Sequence, residues 1–326
     1  MPKIKSLLIS TLLLAGILAG CNQAPAENKS SAPESTSTST AKTDTPAWPR
    51  TFKDSLGKEI VIEKKPEKLA ALWYFYPEIL VALGEPPAGS TEKEFLASLA
   101  YLKGKLDSAE ELGDKVSPSI EKILSIGPDI ILATEQHEKM YDSLEKVAPV
   151  ITLNTKDIYN DWQYGIRTVA KIIGKDDEAE KVIDKMMNDI TTGREALKPM
   201  AGESVTLILS WDGKTFNVLG EGNPVYKLAF DKEKGLGLTP DHKFTGTNNE
   251  FTAFEGISTV QADHIFLIGD ITKKEALMND LQQSKVWNNL NAVKKGNVHL
   301  MDTSAITGGP LAIQYALQNI TDALRK

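Results

Sequence analysis

The chain has 326 residues, enough for one large domain or two lobes with a substantial buried core. It is 41% hydrophobic and 25% charged with a net charge of −7, which excludes a nucleic-acid binder working by bulk positive charge. Arginine occurs only at Arg50, Arg167, Arg194 and Arg325, so a site of several forked guanidinium clamps is hard to assemble. The single cysteine, Cys21, excludes an internal disulfide and a cysteine-based zinc site.

The chain opens on Lys3 and Lys5, followed by an apolar run over 7–18. That run is shorter than a bilayer span and predicts a signal peptide over 1–20. The segment Leu18-Ala19-Gly20-Cys21 resembles the lipobox of bacterial lipoproteins, which implies lipidation of Cys21 and anchoring on the extracytoplasmic side of the cell membrane. From 22 to 47 the composition turns to Ser, Thr, Ala, Pro and Lys with almost no large apolar residue, so 21–47 is expected to be a flexible tether.

Beyond the tether, apolar runs alternate with helical patterns, the signature of βαβ units and mostly parallel sheets. Strands are expected at 68–73, 129–134, 150–153, 204–210, 264–268 and 298–301. Helices are expected at 77–83, 119–126, 139–147, 161–173, 276–283 and 311–324. The longest helical pattern, 176–197, carries charge on most faces and reads as a spacer between two bodies. On either side of it lies an echo. Glu121 to Leu132 can be laid over Glu255 to Leu267, with equal Glu-to-Asp spacing and Ile123, Ile126 and Ile131 matching Ile257, Val260 and Ile265. This supports an N-terminal α/β lobe over 48–160, a helical bridge over 161–198 and a C-terminal α/β lobe over 199–326.

Several short motifs recur in order along the chain: Asp54-Ser-Leu-Gly-Lys-Glu-Ile, Pro66-Glu-Lys-Leu, Ala82-Leu-Gly, 121–132, Ala148-Pro-Val, and Trp287-Asn-Asn-Leu-Asn-Ala-Val-Lys-Lys-Gly-Asn-Val. Together they resemble the substrate-binding lipoproteins of bacterial ATP-driven importers for ferric siderophores, haem and cobalamin. The resemblance implies two Rossmann-like α/β lobes with mostly parallel sheets, bridged by a single long α-helix, with ligand held between them and left chemically unchanged. It also implies docking of one glutamate per lobe, Glu121 and Glu255, onto the permease subunits of an ABC transporter with its cytoplasmic ATPase. Helix capping is the competing role for both glutamates, since Thr252-x-x-Glu255 matches a capping box and Ser117-Pro118 looks like a helix start. A monomer is expected.

In open α/β sheets ligands lie off the carboxyl ends of the strands. After the first long strand comes Trp73-Tyr74-Phe75-Tyr76, where a strand would send alternate rings to opposite faces; Trp73, Tyr74 and Tyr76 are candidates for an aromatic wall. Gln136 and His137 follow the 129–134 strand, while Trp211 and Lys214 follow 204–210 and Tyr226 lies on a helix nearby. Of the four histidines, His264 and His299 fall inside strand patterns and no pair stands at ligand spacing, so no direct metal site is expected alongside His137 and His242. Iron would arrive already chelated, and no cofactor is expected. A lipid-anchored hydrolase is the rival class, but no Gly-x-Ser-x-Gly, His-Glu-x-x-His or phosphate loop occurs, and the expectation is a binder rather than an enzyme. Scarce arginine, with Lys103, Lys105 and Lys214 remaining, favours a near-neutral ferric hydroxamate over ferric citrate, a catecholate, haem or cobalamin.

Overall fold

The computed structural model describes residues 48–241, 250–252 and 254–325; Cys21 and His242 lie outside them. An antiparallel hairpin comes first, β1 (Arg50–Lys53) with β2 (Glu59–Ile62), its residues alternating buried and exposed. Its turn explains the Asp54-Ser-Leu-Gly motif: Asp54 Oδ1 accepts the amides of Leu56 and Lys58, and Gly57 takes φ +82°. Next come β3 (Leu69–Ala71), α1 (Phe75–Ala82), β4 (Gly89–Ser90), α2 (Lys93–Ser98), β5 (Glu110–Glu111), α3 (Ile120–Ile126), β6 (Ile130–Thr134), α4 (Tyr141–Leu144), β7 (Val150–Leu153) and α5 (Thr155–Asn160). Their parallel sheet has the order β5-β4-β3-β6-β7. Every residue of β3, β6 and β7 is buried, as expected of strands covered on both faces.

Two helices, α6 (Trp162–Ile173) and α7 (Asp176–Ala196), lead to the second sheet, which takes β8 (Ser204–Leu209), β9 (Phe216–Val218), α8 (Pro224–Phe230), β10 (Thr239–Pro240), β11 (Glu250–Thr252), β12 (His264–Gly269), α9 (Lys274–Gln282), α10 (Lys285–Asn289), α11 (Asn291–Lys295), β13 (Val298–Asp302) and α12 (Pro310–Leu324). The order is β11-β9-β8-β12-β13, with β10 also beside β8. Here β8, β12 and β13 are parallel, while β9 runs against β8. Two α/β lobes result.

The 21-residue α7 is no bare spacer. Ala179, Ile183, Met186, Ile190 and Gly193 form one buried stripe, packed on α6 and α12, and the charges cover only the remaining faces. Each end is pinned. Arg50 Nη1 donates to Asp176 Oδ2 at 2.8 Å, tying its start to β1, and Arg194 donates to the carbonyls of Gly235 and Glu233 at 2.7 Å each, tying its end to the C-terminal lobe. Around it a single apolar cluster runs from the hairpin (Phe52, Ile60) through α1, α6, α7 and α12 to α8 and the second sheet (Val205, Leu207). Smaller clusters fill the outer side of each sheet.

The sequence echo is carried by strands in equivalent places, since β6 flanks the central strand β3 and β12 flanks β8. Its shared aspartate does the same job twice. Asp129 Oδ2 accepts the amides of Glu67 and Lys68 at 2.9 and 3.0 Å, at the entrance to β3; Asp263 Oδ2 accepts the amide of Ser204 at 2.9 Å, at the start of β8. Partial burial pushes the Asp129 carboxyl up, but these amides and Lys64 outweigh it and hold it below the usual range. The Lys295 ammonium at 2.7 Å, with the Ser204 amide, depresses Asp263 further. One difference separates the copies: Glu121 opens a regular α-helix, whereas Glu255 lies in a 3-10 helix, Phe254–Thr259.

Candidate functional site

Each sheet reverses its strand order beside its central strand, and there the following loops part and leave a crevice. In the first lobe this point lies between β3 and β6, in the second between β8 and β12. Trp73 and Tyr74 stand just past β3, their ring centroids 5.0 Å apart, with Trp73 buried and Tyr74 half-buried. The Trp73 indole N–H is buried and makes no hydrogen bond among the described residues. A buried donor left open at a switch point suits an acceptor from outside the chain. Burial raises the Tyr74 hydroxyl pKa, and burial together with Tyr74 pushes Tyr159 up to about 12, so both are neutral donors at ordinary pH.

In the second lobe, Ser210, Trp211, Asp212 and Gly213 past β8 meet Asp270 past β12 around a hollow of about 170 Å³. Trp211 is 58% exposed there. Asp212 accepts the amides of Lys214 and Thr215 and shapes the turn that leaves Lys214 exposed.

Tyr76, His137 and Tyr226 are placed differently from expectation. Because β3 ends at Ala71 and α1 starts at Phe75, strand alternation does not govern the aromatic run. Tyr76 turns inward, fully buried, and its hydroxyl donates to Ala133 O at 2.8 Å. His137 is a buried cap: its Nδ1 accepts the Thr134 amide at 3.0 Å and its Nε2–H donates to Lys115 O at 2.8 Å. Burial lowers its pKa and keeps it neutral. Gln136 remains exposed on the 3-10 helix Glu135–Met140. Tyr226 packs on Phe230 at 4.5 Å and borders a separate hollow of about 630 Å³ beside β10, away from Trp211.

Glu121 is exposed at the second position of α3, and Ser119, not Ser117, caps that helix by accepting the Lys122 amide. Among the described residues its carboxylate makes no hydrogen bond or ion pair. The Glu255 side chain lies outside the described residues.

Residues joining the lobes carry no local sequence signal. Tyr101 Oη donates to Glu78 Oε1 at 3.0 Å and lies 2.9 Å from Thr307 Oγ1; the Ala100 amide donates to Ser304 Oγ at 3.2 Å; Asn223 Nδ2 donates to Tyr159 Oη at 3.4 Å. Tyr159, Trp162, Pro224 and Lys227 line a groove of about 280 Å³ between the α5–α6 junction and α8. Contrary to the spacing argument, His264 and His299 do meet: His264 Nδ1 and His299 Nε2 are 3.1 Å apart in nearly parallel rings, and His264 Nε2 lies 2.7 Å from Glu203. A shared proton accounts for that contact, and no group of three metal-ligating side chains occurs among the described residues.

Two α/β sheets with aromatic and polar side chains at their switch points, tied by one helix pinned at both ends, are the design of a two-lobed solute binder. The chain belongs to the periplasmic binding protein family, whose model matches residues 69–305. It is 27% identical over 327 residues to the iron(3+)-hydroxamate-binding protein FhuD of Bacillus subtilis, covering 97% of this chain and 96% of the relative. It is also 27% identical to the probable siderophore-binding lipoprotein YfiY of the same organism, over 98% of each chain. Among solved structures, a FhuD fold-family protein of Bacillus subtilis, titled as a component of a Fep/Fec-like ferrichrome ABC transporter, superposes with a TM-score of 0.70 at 25% identity, covering 84% of this chain and 100% of that one.

Proposed function

We propose that this protein is the extracytoplasmic substrate-binding component of an ABC importer, capturing a ferric siderophore between its lobes and delivering it unchanged to the permease. A near-neutral ferric hydroxamate is the favoured ligand. The observation that carries this choice is where the arginines are. Arg50 is tied to Asp176, Arg167 to Glu180 through two bonds of 2.7 and 2.8 Å, Arg194 to two carbonyls, and Arg325 ends the last helix. None stands at a switch point: the first gathers aromatic rings and neutral hydroxyls, and the second sets Trp211 beside Asp212 and Asp270, a lining without the fixed arginines that a trianion calls for. The name of the FhuD relative supports a hydroxamate, and that of the YfiY relative supports a siderophore.

A titration of intrinsic tryptophan fluorescence with ferric hydroxamate, ferric citrate and ferric catecholate complexes tests it. Saturable quenching should be tightest with a hydroxamate. A clear preference for citrate or catecholate would replace the ligand, and no response to any ferric chelate would remove the function.

The anchor belongs to the same proposal. Cys21 is the lipidation site, 1–20 the cleaved signal and 21–47 the tether holding a monomeric binder at the outer membrane face. Cys21→Ala should leave the precursor unprocessed or release the protein into the medium, read by fractionation and mature mass. A variant that stays in the membrane at normal mature size would refute the anchor.

A further inference from the structure

Glu78 lies on α1 with 0% exposure, yet no lysine, arginine or histidine among the described residues pairs with it. Its partners come from elsewhere in the chain. Tyr101, from the segment after α2, and Thr307, from the loop between β13 and α12, both bond Oε1; the Ala312 amide in the first turn of α12 donates to Oε2 at 3.2 Å. Gly309, just before α12, has no room for a side chain, because a Cβ there would fall 2.2 Å from Glu78 Oε2. The carboxyl of one lobe therefore caps the last helix of the other, and that helix begins where the β13 rim loop ends.

Proton counting decides the form of the acid. Glu78 Oε1, Tyr101 Oη and Thr307 Oγ1 make a triangle with all three edges at hydrogen-bond distance. With an ionised Glu78, Tyr101 and Thr307 both donate to Oε1 and the edge between their hydroxyls carries no proton, whereas a neutral acid that donates from Oε1 to Thr307 frees Thr307 to donate to Tyr101 and fills all three edges. The titratable groups around it reinforce this. Tyr101 from the facing loop and Tyr74 just before its own helix act on it, and Tyr101 is in turn flanked by Asp302 at the end of β13 and Tyr315 on α12; none of the four is a cation.

We infer that Glu78 is a positioning residue for ligand capture, holding the 303–309 rim loop and the start of α12 against the first lobe as a neutral carboxylic acid. Burial raises its pKa from 4.5 to about 7, against the opposing bonds from Thr307, Ala312 and Tyr101. The native group keeps its proton to about pH 7, while an unfolded glutamate loses it near 4.5, so folding takes up a proton in that window. The contribution to stability is largest below that window and declines as pH rises through it. Above it a bare charge sits in the joint, and the rim loop loosens.

This inference rests on the proposed siderophore binding, and the experiment separates the two. Affinity for the ferric complex of desferrioxamine is measured from about pH 6.5 to about 8.5, together with hydrogen-exchange protection of the Ala312 amide without ligand. In the parent chain both should fall across neutrality, the affinity roughly tenfold. Glu78→Gln cannot ionise, so its profiles, whatever their level, should carry no such step. Tyr101→Phe removes a donor to the carboxylate and should move the step to higher pH. Identical profiles in parent and Glu78→Gln, or a step unmoved by Tyr101→Phe, would overturn the role. If no ferric chelate binds, the proposed function fails, and protection of Ala312 alone decides the joint.

Discussion

Replacing both Glu121 and Glu255 with Gln should abolish uptake of ferric siderophore, and stimulation of the transporter's ATPase, while leaving ligand affinity unchanged. Helix α3 runs into β6 through a tight turn, so its first turn lies on the rim at the carboxyl ends of the strands. Glu121 projects there exposed, and Ser119 already supplies the cap. Losing its charge therefore costs the helix only the dipole contribution, about 0.3–1 kcal/mol, and melting should shift by a few degrees at most. The echo sets Glu255 at the corresponding start of the unit that leads into β12, and one carboxylate per lobe suits a partner with two-fold symmetry. Uptake of labelled iron in cells carrying the double variant reads the result directly. Normal uptake would reduce both glutamates to helix-start residues.

Tyr74→Ala and Trp211→Ala should each weaken ferric hydroxamate binding by about thirtyfold, or ~2 kcal/mol, with little change in melting temperature. Tyr74 is half-buried at one switch point and Trp211 is exposed at the other, so neither truncation opens a large cavity in the core. Tyr76→Ala makes the internal contrast. That ring is fully buried and its hydroxyl holds Ala133 O, so its removal should cost about 3–5 kcal/mol of stability instead. Fluorescence titration and thermal melting of the three variants separate the roles. Parent-like affinity in both Tyr74→Ala and Trp211→Ala would move the site elsewhere.

The strands β6, β7, β8 and β12 were legible because parallel strands covered on both faces read as nearly unbroken apolar runs. The β1–β2 hairpin has only four residues per strand, alternating in and out, and β4, β5 and β10 have two each, too short for any period to emerge. The charge of α7 concealed its stripe, since Ala179, Ile183, Met186, Ile190 and Gly193 suffice to bury one face. For the site, the position of Trp73, Tyr74 and Trp211 follows from strand ends, which a sequence marks well. Tyr76 and His137 do not follow, because one helical turn or one cap decides whether a ring faces in or out. Residues paired across long separations, such as Glu78 with Thr307 or His264 with His299, leave no local pattern at all; the latter two meet only because β12 and β13 are neighbours.

The apolar cluster that passes unbroken from the hairpin to the second sheet has an energetic consequence for transport. Pulling the lobes widely apart would expose side chains such as Ile183, Ile190 and Ile313 to water, at roughly 25 cal/mol for every Å² uncovered. Thermal fluctuation reaches small tilts long before it reaches such a rupture. On the proposed function, the bound chelate is therefore not let go by spontaneous gaping. The work of release is done from outside, by whatever grips the two rims and levers them, so the dwell time of the cargo is set by the nucleotide cycle of the transporter.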